Sequence, residues 1–311
     1  MTLPQTYIGV DIAKNWIDFH CLEDGRSGRI PTGELSEFAT TCADAHVILE
    51  ASGGYERPLT QALVTAGIAY TRVNPRHARD FARATGRLAK TDRLDARILA
   101  EMGAALKPHP TQPPALERQE LAELITRRDQ LVKARKAELV RLQKTTNKLI
   151  RQDIKSLIAV LAGRIMKIEK MISLHIDQHE SLKRLEKQMQ SVPGIGPVVS
   201  ATLMAFLPEL GQLNTKAIAS LAGLAPHSCD SGQMRGKRMI WGGRANVRRG
   251  LYLAAFSTLR HNNNGFAAYC QKLRDAGKPF KVAVIATARK LLITLNAIIK
   301  RNGFYNEREP A

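Results

Sequence analysis

Four acidic residues stand where carboxylate chemistry needs them. Asp11 closes the apolar run Tyr7-Ile8-Gly9-Val10, and Glu50 closes His46-Val47-Ile48-Leu49. Asp92 and Asp95 lie three apart in Lys90-Thr91-Asp92-Arg93-Leu94-Asp95-Ala96-Arg97. Acids at the ends of two buried strands, with an i,i+3 pair on one helical face, can converge on a single point. Oxygen-rich clusters of that kind hold Mg2+, with Mn2+ as a substitute, and paired ions stabilise the attacking and leaving oxygens of a phosphodiester. Most acids at strand ends are simply solvated, and Arg93 and Arg97 offer ion pairs to Asp92 and Asp95 instead. Asp11, however, follows apolar positions and precedes Ile12-Ala13, so it is expected to be half-buried. A buried carboxylate is costly unless a cation or hydrogen bonds satisfy it, which favours the metal reading.

A second candidate is Ser231, in His227-Ser228-Cys229-Asp230-Ser231-Gly232-Gln233-Met234-Arg235-Gly236-Lys237-Arg238. From Ser231 to Arg274 there is no acid, while Arg235, Lys237, Arg238, Arg244, Arg248, Arg249, Lys272 and Arg274 accumulate. A hydroxyl on a glycine-flanked loop among guanidinium groups suits attack on a phosphate, because the arginines offset the charge that builds on its oxygens. Ser-Gly is also a commonplace turn dipeptide, so spacing alone does not make the serine a nucleophile. Ser228 is a weaker rival, and Tyr252 reads as core. His175 and His179 are i,i+4, but no carboxylate or cysteine completes a zinc set at familiar spacing, and they read as surface or interface residues.

The chain of 311 residues has 47 Lys+Arg against 28 Asp+Glu, a net charge of +19. That excess implies a polyanionic partner held in a salt-dependent manner. Arg76, Arg79, Arg83 and Arg87 recur at spacings of three and four, which places several on one helix face where a phosphate backbone can lie. In Val192-Pro193-Gly194-Ile195-Gly196-Pro197, a Gly-x-Gly turn between two helices resembles helix-hairpin-helix DNA-binding elements, with Gly194 and Gly196 facing phosphate. A plain helical corner is the alternative. The basic residues are spread over several segments rather than one amphipathic helix, which argues against a membrane surface. Cys21, Cys42, Cys229 and Cys270 form no metal or disulfide spacing and read as reduced thiols. The N-terminus has no basic-then-apolar secretory pattern, so a cytoplasmic, nucleoid-associated protein is expected. Val282 to Ile299 is apolar but interrupted by Arg289-Lys290, the mark of a buried helix.

These residues need elements to position them. Tyr7–Asp11, Trp16–Leu22, Val47–Glu50 and Ala69–Val73 read as strands. Glu56 to Ala66 reads as a helix closed by Gly67, and a further helix begins at Asp92 with Thr91 as its N-cap. Alternation of this kind predicts a mixed sheet with helices on its faces over residues 1–107. Residues 108–114, Pro-His-Pro-Thr-Gln-Pro-Pro, form a stiff linker. Residues 115–190 carry leucine and isoleucine at helical spacing with no proline, which predicts two long helices. They pair either as a coiled coil between subunits or as an antiparallel hairpin folding on itself. Residues 191–311 are expected to be mostly helical, with glycine-rich interruptions at 223–250.

The order of these segments resembles the insertion-sequence family 110 transposases, including the 1111 group, also called bridge-RNA-guided recombinases. The matching segments are Gly9-Val10-Asp11-Ile12-Ala13-Lys14, Leu49-Glu50-Ala51-Ser52-Gly53, Lys90 to Ala96, Val192 to Gly196, Leu221-Ala222-Gly223-Leu224-Ala225-Pro226, and Ser231-Gly232 with the arginine-rich helix after Gly243. One segment departs from the pattern: Trp241-Gly242 stands where many relatives carry a Ser-Lys-like pair. The resemblance implies an N-terminal RuvC-like, RNase H-type domain whose Asp-Glu-Asp-Asp metal site is Asp11, Glu50, Asp92 and Asp95. It implies coiled-coil assembly helices and a C-terminal transposase domain whose nucleophilic serine is Ser231. It further implies donor and target DNA, a guide RNA from the element's noncoding end, a covalent phosphoserine, and a dimer or tetramer whose protomers share active sites. Two other functions fit the residues. A junction-resolving nuclease would use the same carboxylates with water as nucleophile, and a non-catalytic nucleic-acid-binding protein would use the acids structurally.

Overall fold

A computed structural model of the chain describes residues 6–87, 91–228, 230–231, 236, 238–260 and 264–306. Two compact units divide it, Met1–Pro113 and Pro114–Ala311.

In the first unit, β1 (Thr6–Ile12), β2 (Trp16–Cys21) and β3 (Ser27–Pro31) form an antiparallel meander. Then come α1 (Leu35–Thr41), β4 (Ala45–Glu50), α2 (Arg57–Thr65), β5 (Ala69–Val73), α3 (Pro75–Ala84) and α4 (Asp92–Leu106). The sheet order is β3-β2-β1-β4-β5, with β4 parallel to both β1 and β5. This is the mixed sheet with helices that the sequence predicts, although β3 and α1 are not among the elements legible there. Because both faces are covered, the central strands are apolar nearly throughout. Ile8, Val10, Val47 and Leu49 join Leu35 and Phe38 of α1 and Leu59 and Leu63 of α2 in one core. Tyr7 and Ile48 point the other way, to Ala78 of α3 and to Leu99 and Met102 of α4.

Gly9 decides how closely α4 lies on the sheet. A Cβ there would fall onto the Ala96 carbonyl and the Ala100 amide of α4, and no side chain can occupy that space. One and two turns farther along the helix, Ala100 is fully buried and Gly103 meets Ile48 and Tyr7. The small residues at 96, 100 and 103 therefore form the stripe on which β1 and α4 approach.

The second unit begins with α5 (Leu116–Lys144) and α6 (Lys148–Gln178). Within the chain these two helices pack against each other as a hairpin. Arg128 Nε donates to Glu169 at 2.7 Å, and Arg151 closes the tip by donating to the Leu142 and Thr145 carbonyls. His175 is not at the surface: it is buried against α5, its Nε2 2.8 Å from the Glu117 carbonyl, with the His179 ring 4.5 Å away. After the hairpin follow α7 (Glu180–Gln190), α8 (Pro197–Phe206), α9 (Thr215–Leu221), β6 (Pro226–His227), β7 (Met239–Ile240), α10 (Ala245–Thr258), α11 (Gly265–Asp275) and α12 (Phe280–Lys300). Leu121, Ile125, Ile172 and Ile176 at the base of the hairpin share one core with α7 through α12. Among the described residues α12 is the one helix long and apolar enough to cross a membrane, and its Val284, Leu291, Leu292, Leu295 and Ile298 lie in that core.

Candidate active site

Asp11 and Glu50 are brought together by strand register. β1 and β4 pair in parallel through Gly9–Ile48 and Val10–Leu49, and the two acids are the next residues along. Alternation along β1 puts Asp11 on the face that Gly9 presents to α4. That helix begins at Asp92, where the Thr91 hydroxyl caps it by accepting from the Leu94 amide at 3.3 Å. Its first turn therefore carries Asp92 and Asp95 toward Asp11, and the close seating of Ala96 on Gly9 sets the spacing.

The electrostatics record this gathering. Burial is the largest influence on Asp11; the charges of Asp95, Asp92 and Glu50 add to it, against a hydrogen bond from the Ile12 amide. Together they push its carboxyl from the ordinary 3.8 up to about 6. Glu50 and Asp95 are half-buried and Asp92 is exposed. Among the described residues, however, no three acidic, histidine or cysteine side chains converge tightly enough to enclose an ion. The single point of convergence that the spacing allows is thus only part-formed. At the edge of the set, Asp92 accepts from Arg29 Nη2 at 3.2 Å. A hard divalent cation fits such a set, since every donor is a carboxylate oxygen and the cation would relieve the repulsion that Asp11 experiences.

Three residues around these acids are not evident from the sequence. Asp18 on β2, 2 % exposed, lies directly opposite Asp11 and is held by Arg29 on β3 at 2.8 Å. Glu56, also buried, accepts from the Ser52 amide and hydroxyl and the Gly54 amide, and so fixes the turn that follows Glu50. Burial pushes Glu56 up, but those hydrogen bonds prevail and its pKa lies below the usual value. The signal for Asp18 was an acid flanked by Ile17 and Phe19, at the position a short β1–β2 turn places across from Asp11.

Ser231 belongs to the second unit. It is exposed, on the loop that joins β6 to β7, across which Asp230 accepts from the Gly236 amide at 3.0 Å. At the base of the same hairpin the His227 and Trp241 rings stand 5.3 Å apart. Arg235 and Lys237 lie outside the described residues, and Arg238 is exposed.

The remaining basic candidates differ in how far the fold already occupies them. On α3, Arg76 and Arg83 are exposed and share Asp80 at 3.9 and 3.8 Å, and Arg79 is half-buried. Arg87 is bound to Glu101 at 2.6 Å. Arg244 grips Glu209 with two bonds of 2.6 Å and donates to the Phe206 carbonyl. Arg248 donates to the Gly242 carbonyl and Arg249 pairs with Asp129. Gly194 sits at φ +85° with its Cα pressed on α10, where a Cβ would meet Thr258 Cγ2 at 2.5 Å and the Ala254 carbonyl at 2.7 Å. Gly196 is the N-cap of α8, with open space beside it.

Comparison with known proteins covers both units. Residues 8–150 match the DEDD model of IS110 transposases, described as "Transposase", and residues 186–271 match "Transposase IS116/IS110/IS902 family". A "Pilin gene-inverting protein" of Moraxella lacunata is 26% identical over 98% of this chain and 99% of its own length. The homologous protein of Moraxella bovis matches to the same extent. The "Transposase for insertion sequence element IS1111A" of Coxiella burnetii is 23% identical over 83% of this chain and 79% of its own.

Proposed function

The chain belongs to the IS110 family of transposases, and from that premise we propose that it is an RNA-guided DNA recombinase that works through a covalent serine–DNA intermediate. A family of transposases acts on DNA, and a DEDD domain points in general to a divalent metal. The finer reading assigns Mg2+ to Asp11, Glu50, Asp92 and Asp95. The observation that carries it is Asp11: burial first, and then the charges of Asp95, Asp92 and Glu50, raise its pKa to about 6. A fold that keeps four acids in mutual repulsion incurs a cost that a bound cation would remove.

When bound, Mg2+ supplies charge neutralisation on the phosphate oxygens and acidifies a hydroxyl near it. Asp11, Glu50, Asp92 and Asp95 would hold that ion. Ser231 Oγ forms a bond to phosphorus and gives up its proton, while the bond from phosphorus to one deoxyribose oxygen breaks and that oxygen takes up a proton. The resulting ester keeps the energy of the broken bond, so attack by a new deoxyribose hydroxyl rejoins the strands and frees the serine. Exposure of Ser231 on a loop suits a nucleophile that must reach DNA. Guide RNA pairs with donor and target DNA and chooses the sequence, and the basic surfaces hold both nucleic acids by their backbones. A homo-oligomer, dimer or tetramer, brings the strands to be exchanged together.

The full-length likeness to a protein named for inverting a gene supports rejoining over simple cutting. The test is to trap the intermediate. Incubated with its DNA, guide RNA and Mg2+, the chain is expected to yield an SDS-stable protein–DNA adduct that Ser228→Ala retains and Ser231→Ala loses. Free cut ends with no adduct under any condition would instead indicate a nuclease using water.

A further inference from the structure

Asp11, Asp18 and Arg29 are paired in register across three neighbouring strands, Asp11 opposite Asp18 and Asp18 opposite Arg29. Residues directly opposite one another project to the same face, so the three form one row beneath the start of α4. Asp18 is 2 % exposed, and its charge is met by Arg29, which donates from Nε at 3.2 Å and from Nη2 at 2.8 Å. The guanidinium also lies 4.6 Å over the Trp16 ring. Fixed by a buried carboxylate on one side and an indole on another, it extends Nη2 to a single oxygen of Asp92, Oδ2, at 3.2 Å.

We propose that Arg29, anchored by Asp18, is a positioning residue that aims Asp92 at the metal. The inference rests on the reading of Asp92 as a metal ligand. Asp92 needs such a partner more than the other three acids do. Asp11 and Glu50 are set by the sheet and Asp95 is half-buried, whereas Asp92 is the first residue of its helix with a side chain 52% exposed. A carboxylate in that setting samples many rotamers, and one fixed N–H on one oxygen selects among them and leaves the other oxygen outside that bond. Partners of this kind commonly govern metal affinity by 10–100-fold. Arg29 further balances the charge of Asp18, which would otherwise add a fifth negative charge beside Asp11, Glu50, Asp92 and Asp95.

Mn2+ binding to the full chain, measured by the loss of the free-ion EPR signal, tests the assignment without reference to DNA cutting. Arg29→Met is expected to weaken Mn2+ binding by about 10–100-fold, Asp18→Asn to do the same, and Arg29→Lys to recover part of the loss. Because Asp18 acts through Arg29, the double variant Asp18→Asn with Arg29→Met should bind no more weakly than either single one. The double variant removes the buried carboxylate and its partner charge together, so it remains the deciding protein if either single variant fails to fold. A folded double variant that binds Mn2+ as tightly as the wild type overturns the proposal alone. Tighter binding would make Arg29 a competitor of the ion, and overturns it as well. Failure of the wild-type chain to bind Mn2+ at all would remove the metal reading and this inference with it.

Discussion

Asp11 and Asp92 sit at the two extremes of the acidic group, one half-buried beside three like charges and the other exposed and tied to an arginine. If Asp92 is a ligand, Asp92→Asn should abolish strand cleavage while leaving nucleic-acid binding intact, since the amide preserves shape and the charge lost is small against +19. Cleavage assays paired with a gel-shift titration check this, and parallel loss of binding and of thermal stability would make the residue structural. In the second unit, Glu209 supplies a pH dependence of its own. Burial raises its pKa, but the hydrogen bonds and charge of Arg244 outweigh that and leave it below the usual 4.5. A depressed acid contributes stability that is complete above its unfolded pKa and is lost as pH falls through the folded one. Thermal unfolding midpoints should therefore drop below about pH 4.5, and Glu209→Gln should flatten that decline.

At the scale of elements, the close contact of β1 with α4 does most to build the site. Gly9→Ala would force a methyl into the backbone of α4, and overpacking of that kind costs about 1–3 kcal/mol. Urea unfolding should show that loss, and Mn2+ affinity should fall with it, because Asp92 and Asp95 would move away from Asp11. A variant with unchanged urea midpoint would mean that the helix is not seated on Gly9. Much of this was legible in the sequence. Apolar runs ending in an acid marked β1 and β4, and the Thr91 cap with its i,i+3 acids marked the start of α4. The edge strand β3 was not, because Ser-Gly-Arg-Ile-Pro lacks the β-branched density of a strand and contains both a glycine and a proline. Missing β3 meant missing Arg29. α1 was hidden for a related reason, since Leu-Ser-Glu-Phe-Ala-Thr-Thr is poor in strong helix formers and is held by the burial of Leu35, Phe38 and Ala39. For the long helices, leucine spacing cannot distinguish a seam within a chain from one between chains. The ion pair between Arg128 and Glu169 belongs to the folded hairpin.

For the molecule as a whole, the charge excess divides into arginines spent on the fold and arginines available to a polyanion. Arg244 is of the first kind, held by Glu209 and a helix-end carbonyl. Arg83 is of the second kind, exposed and 3.8 Å from Asp80 on its own helix. Replacing Arg83 with alanine should leave the unfolding midpoint unchanged and reduce the slope of log K against log salt by about one unit for the lost phosphate contact. Arg244→Ala should lower the midpoint instead. An unchanged slope in the α3 variant would place that helix away from the nucleic-acid backbone.

The seat of α4 on Gly9 also bears on when, under the function proposed above, the acidic set is first complete. Two of the four acids ride on a helix that starts at residue 92, and they reach the other two only after that helix docks on a strand near the beginning of the chain. A nascent polypeptide, or a proteolytic stub ending before that point, carries Asp11 and Glu50 but not the rest of the set. Completion of the N-terminal unit thus acts as a safety catch on the acidic set, and the cleavage proposed above waits also on the second unit, which carries Ser231.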